Sequence, residues 1–140
     1  MRGVSRFVVV TEPLPPYALT EPAFPLRALA VAVSRAPMGG VRESLMAALV
    51  GARLAAAAVG RDALPDALRS ERAVAARHWL GALTLPPAAR GAFALLVEAS
   101  VAGEPAALSA ALTKVIEVTA PNLDRKARWE LDQLARTIAA

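Results

Sequence analysis

The sequence predicts an all-α protein: a compact bundle or orthogonal array of five to six helices, preceded by an extended N-terminal arm with one short strand-like segment. Three observations carry this. Apolar residues recur at three- and four-residue spacing from Leu26 to Ile138, the signature of amphipathic helices. Prolines and glycines cut that stretch into helix-sized pieces. Five of the 11 prolines fall within the first 25 residues, which rules out a regular helix there, because each removes a donor and blocks the preceding turn. The reading divides the 140 residues into an arm over 1–25 and one helical domain over 26–140.

Within the arm, Arg6 to Thr11 is β-branched and aromatic, which is strand composition. No partner strand follows. A lone strand leaves its backbone groups unsatisfied, so the segment is expected to pair with another chain, pair with its own copy, or lie as extended chain along the helices. Phe7, Val8, Val9, Val10, Leu14 and Tyr17 are the side chains it offers a partner. Pro13-Leu-Pro-Pro16 matches the PxxP ligand pattern, but no basic residue flanks it, and a stiff spacer explains it as well.

The first helix carries Leu26, Leu29, Ala30 and Val33 and closes at Pro37; Met38-Gly39-Gly40 makes the turn. The second spans about Val41–Val59, with Leu45, Leu49, Ala52 and Ala56 on one face and Met46, Val50 and Leu54 beside it. A third spans about Ala63–Leu83, striped by Leu64, Leu68, Ala75, Trp79 and Leu83, with Pro65 in its first turn. Pro86 and Pro87 open a fourth, whose core face is Phe93, Leu96, Val97 and Ser100 and whose stop is Gly103. Pro105 opens a fifth with Leu108, Ala111, Leu112, Val115 and Ile116. The last has the cleanest stripe: Leu123, Ala127, Leu131, Leu134 and Ile138. Asn122 is its expected N-cap, with Asp124 in the first turn. Short connections favour antiparallel neighbours.

Aromatic residues make up only 4% of the chain, so Trp79, Phe93 and Trp129 are expected to plug the core where helices cross. Hydrophobic residues reach 56%, and Leu29, Val31, Val50, Val101 and Val118 fall on second faces. That surplus predicts more apolar surface than one small bundle hides, and hence a partner or self-association.

Several classes of function are excluded. Cysteine is absent, which removes disulfides, thiolate zinc sites, iron–sulfur clusters and cysteine nucleophiles. One histidine, His78, cannot by itself build a histidine-based metal cluster. No metal site and no cofactor is expected. The apolar run Phe7–Val10 is shorter than the about 7–15 residues of a secretory core, so no export signal is expected and the cytoplasm is the default. Ser44–Gly60 is the best membrane candidate, but it falls short of about 20 residues and has Arg53 at its centre. A buried helix is expected there, and a membrane partner is not.

The formal charge is +4, with no run of five or six like charges. Arg69, Arg72 and Arg77 stripe the third helix, and Arg125 and Arg128, with Lys126, open the last. Together they would contact phosphates if those helices converge. Glu71, Asp124 and Glu130 interleave with them, and a solvated mixed-charge face competes. His78 would act as a general base only beside an acid; Glu71, seven residues away, is too distant for contact along one helix. Asp62 and Asp66 read as dipole compensation at a helix start, not as a calcium loop. Gly39-Gly40 before a helix resembles an anion seat, but neither the Walker nor the GxGxxG pattern is present.

The expectation is therefore a non-catalytic helical assembly or adaptor protein, acting through protein–protein contacts of its arm and apolar helix faces, with a protein or a second copy as partner. The alternative is a basic accessory protein that binds nucleic acid. A small ligand-binding or enzymatic bundle using His78 comes third.

Overall fold

A computed structural model describes residues 26–58 and 65–140 of the chain. Proline and glycine set the boundaries. α1 (Arg27–Arg35) ends before Pro37, and Gly39, at φ 127°, turns the chain into α2 (Gly40–Ala56). α3 (Asp66–Gly81) follows Pro65, and Pro86 and Pro87 open α4 (Pro87–Ala102). Gly103 closes α4 in the left-handed region at φ 70°, a conformation that costs glycine no Cβ clash. Glu104 then caps α5 (Pro105–Thr119), accepting from the amides of Ala106 and Ala107 at 3.2 and 2.9 Å. A 3₁₀ turn over Ala120–Asn122 leads to α6 (Arg125–Ala139).

The fold is an all-α bundle, and no strand occurs among the described residues. The strand-like segment 6–11 lies outside them, as do Phe7, Val8, Val9, Val10, Leu14 and Tyr17.

α2 is the central element. It packs on α1, α3, α4, α5 and α6. Twelve of its 17 residues are buried, on all sides of the helix. This explains why Ser44–Gly60 is so apolar: a helix surrounded by other helices has no wet face to keep polar. No described helix is long and apolar enough to cross a membrane. Small residues let neighbours come close. At Gly51 an added Cβ would stand 2.8 Å from Leu96 Cδ2, so α2 and α4 approach closely enough that any side chain here would have to displace Leu96. Around this axis α4 packs on α3 and α5, α5 on α6, and α6 on α1.

Several expectations need correction. The N-cap of α6 is Asp124, whose carboxylate accepts from the Ala127 amide at 2.8 Å; Asn122 instead belongs to the 3₁₀ turn that Pro121 imposes. Leu68 was expected on the core stripe of α3 but is exposed. Trp79 and Leu83 of that stripe are buried and Ala75 is half-buried, and the helix also buries Ala73, Ala76 and Leu80, so its buried residues all lie from position 73 onward. Leu29 and Val50 are not surplus surface: both are buried, since α2 is covered all round and α1 lies between α2 and α6. Val31 does remain exposed, and Val101 and Val118 are half-buried.

Trp129 is the largest correction. Trp79 and Phe93 are core residues at 4% and 1% exposure, whereas Trp129 stands at 62%. The reason is angular. α6 buries Ala127, Leu131, Leu134, Ala135 and Ile138, and residue 129 lies two positions from both 127 and 131, about 200° around the helix from each.

Candidate functional site: a groove between α1 and α6

α1 begins without help from its own sequence. Leu26 occupies its N-cap position and has no side chain to accept from the first turn, which contains no acidic residue. The orphan amides of a helix start need an acceptor. Here it comes from α6: Glu130 Oε2 accepts from the Ala28 amide at 2.9 Å, and Oε1 from the Leu29 amide at 3.0 Å. The carboxylate also meets the positive end of the α1 dipole. One side chain thus caps α1 and fastens it to α6.

That fastening shapes a surface. One turn before Glu130, Arg125 and Lys126 project from the first turn of α6, set by the Asp124 cap. With Ala28, Trp129 and Glu130 they line a groove of about 490 Å³. Its lining combines a large exposed aromatic with two cations. Neither Arg125 nor Lys126 forms an ion pair among the described residues. Arg128 is engaged elsewhere, with Asp132 at 3.6 Å.

The arginines of α3 are placed differently. Arg69 binds Asp66 at 2.6 Å, and Arg77 Nε binds Glu98 at 2.7 Å, tying α3 to α4; Arg72 is half-buried. α3 packs on α4 and α2, and α6 on α5 and α1, so the two basic sets belong to separate helix pairs.

The other candidates resolve simply. His78 is exposed in the last turn of α3, with no hydrogen-bond or ion-pair partner among the described residues. Asp66 is the Arg69 partner, and Asp62 lies outside the described residues, as does Pro13–Pro16. No group of three or more histidine, cysteine or acidic residues that would hold a metal ion occurs among the described residues. Gly39 and Gly40 form the α1–α2 turn. A second groove of about 330 Å³ runs between α5 and α6, where Ser109 and Thr113 spend their hydroxyl protons on the carbonyls of Ala135 and Ser109.

The sequence reading missed the Trp129 groove. The signal was present in the α6 stripe, which leaves position 129 off the buried face; the Glu130 contact to α1 had no sequence signal. Comparison with protein-family models, with curated proteins and with solved structures gives no match.

Proposed function

We propose that this chain is a non-catalytic assembly or adaptor protein, and that it makes its protein–protein contact at the α1/α6 groove around Trp129. The observation that carries this reading is the 62% exposure of Trp129 beside two cations that form no ion pair among the described residues. Tryptophan is enriched among residues that dominate binding energy, because it buries a large area with few rotatable bonds. A rim of Arg125 and Lys126 selects a partner that presents an apolar side chain next to a carboxylate. The groove is shaped by the Glu130 cap, whose carboxylate accepts from two backbone amides of α1 and so fixes the two helices at its wall.

The test compares full-length protein with W129A and, as a surface control, L95A; Leu95 is likewise exposed, on α4. Proteins retained by the parent and by L95A, but lost by W129A at unchanged thermal stability, are the expected result. Equal retention by all three overturns the reading. Light scattering on the same samples tells whether the partner is a second copy.

One observation favours a second reading. An exposed aromatic flanked by cations also suits a stacked base and its phosphate. Binding to single strands that weakens steeply between about 50 and 200 mM salt, and disappears in W129A, is what that reading requires.

A further inference from the structure

We propose that the outer face of the α3/α4 hairpin is a twofold contact with a second copy of this chain, centred on Arg77 and Glu98. This face is separate from the Trp129 groove and independent of the reading given to that groove. α3 and α4 run antiparallel and in register: Arg69 lies beside Gly103, Arg77 Nε meets Glu98 Oε2 at 2.7 Å, and Arg90 reaches back to the carbonyls of Leu80 and Leu83 at 3.1 and 2.6 Å. α4 packs on α2, α3 and α5 and turns Ala94, Leu95, Glu98 and Ala102 outward on one exposed stripe. A helix on the outside of a bundle ordinarily keeps that stripe polar. Here Leu95 is 55% exposed and Glu98 is the one charge in the stripe. Alongside it α3 presents Val74, at 59% exposure, with Arg77 and Gly81.

The charge of the face selects its occupant. One cation and one anion stand side by side at its centre, both exposed. A nucleic acid or an anionic surface would be drawn to Arg77 and repelled by Glu98 at the same place. A second copy meets neither objection. A twofold axis running between the two helices, along their length, lays α4 over α3 of the second copy. Arg77 then faces Glu98 of the second copy, and Glu98 faces its Arg77, so the internal pair becomes a network of four charges. The same rotation keeps every residue at its level along the helices. Leu95, three residues before Glu98, comes over Gly81 of the second copy, four residues after Arg77. Val74, three residues before Arg77, comes over Ala102 of the second copy. Each exposed apolar side chain thus meets a small residue. Nothing stands within 4 Å of a Cβ built on Gly81, so the hollow that receives Leu95 is open. Two 16-residue helices side by side present a face of about 24 by 20 Å, and covering it on both copies removes about 1,000 Å² from water, enough for a specific interface at the small end of the range.

Sedimentation velocity on the full chain from about 1 to 200 μM tests this, and the parent is expected to pass from monomer to dimer within that range. R77E and E98R are each expected to weaken the dimer by about tenfold or more, because like charges then face each other across the axis. Mixed one to one, they are expected to recover it, because every facing pair is again opposite in sign. Neither variant keeps the internal pair, so recovery on mixing reads the contact between chains alone. G81L fills the hollow at a position where the fold leaves room, and is expected to abolish the dimer without lowering the melting temperature. Circular dichroism checks that each variant folds; if a charge variant does not, G81L against W129A decides. Leu95 belongs to this face and not to the groove, so L95A weakens self-association and leaves capture at Trp129 intact. A parent that stays monomeric throughout the range overturns the proposal. So does a dimer that the R77E and E98R mixture fails to recover, or that G81L leaves intact. A dimer lost in W129A and kept in G81L also overturns it, assigning the second copy to the α1/α6 groove.

Discussion

Glu130 and Leu29 are separated by 101 positions and joined by one hydrogen bond of 3.0 Å, in which the α6 carboxylate accepts from the α1 amide. A second bond from the Ala28 amide makes the contact bidentate. The start of α1 is thereby a tertiary feature: its own N-cap residue, Leu26, makes no side-chain capping bond, and among the described residues the acceptor comes from α6.

Glu130→Ala should accordingly cost about 1–2 kcal/mol, the range of a lost N-cap. The loss falls on α1 first, because the rest of the core does not depend on that carboxylate. Hydrogen exchange should show the amides of Ala28 and Leu29 losing protection well before those of α4. Uniform loss across the bundle would contradict the assignment. Glu130→Gln keeps an acceptor and should recover part of the stability.

The two tryptophans should behave oppositely. Trp79→Ala removes a buried ring, and large-to-small core changes of this kind cost about 3–5 kcal/mol. Trp129→Ala removes an exposed one and should stay within about 0.5 kcal/mol. Urea denaturation followed by circular dichroism measures both. A large loss from Trp129→Ala would mean that the ring is part of the core after all.

Gly51 marks the closest α2–α4 approach. Gly51→Ala gains about 1 kcal/mol in helix propensity. It also drives a Cβ to 2.8 Å from Leu96 Cδ2, and Leu96 is fully buried with little room to yield. Overpacking costs about 1–3 kcal/mol, so the net change should be destabilising by about 1 kcal/mol. In a Leu96→Ala background the clash is gone and Gly51→Ala should become stabilising. The sign reversal in a double-mutant cycle is the observation to make.

The α6 cap separates two neighbouring residues. Asp124→Ala loses the bond to the Ala127 amide and should cost about 1 kcal/mol, whereas Asn122→Ala, in the exposed 3₁₀ turn, should cost little. The reverse order of thermal midpoints would restore Asn122 as the cap.

These predictions trace what could be read in advance. Helix identity and order were legible, because Pro87, Gly103 and Pro105 act on their own turns, and because the α5 stripe Leu108, Ala111, Leu112, Val115 and Ile116 repeats within a few residues. The burial of α2 was legible too, since a helix apolar on all sides has to be enclosed. The candidate groove was not. In sequence its cations read as part of an arginine surface shared with α3. By its size Trp129 reads as a core residue, although the stripe around it points elsewhere.

The sequence by itself determined the helices, their boundaries to within about three residues and most of their buried faces, because propensity, capping and periodicity are set by residues within a turn or two of each other. Only the tertiary structure decided that α2 lies at the centre, that Leu29 and Val50 are covered, and that Glu130 starts a helix far away in the chain. Such pairings depend on which helix packs beside which. That choice is made by the summed fit of whole surfaces, and no local spacing records it.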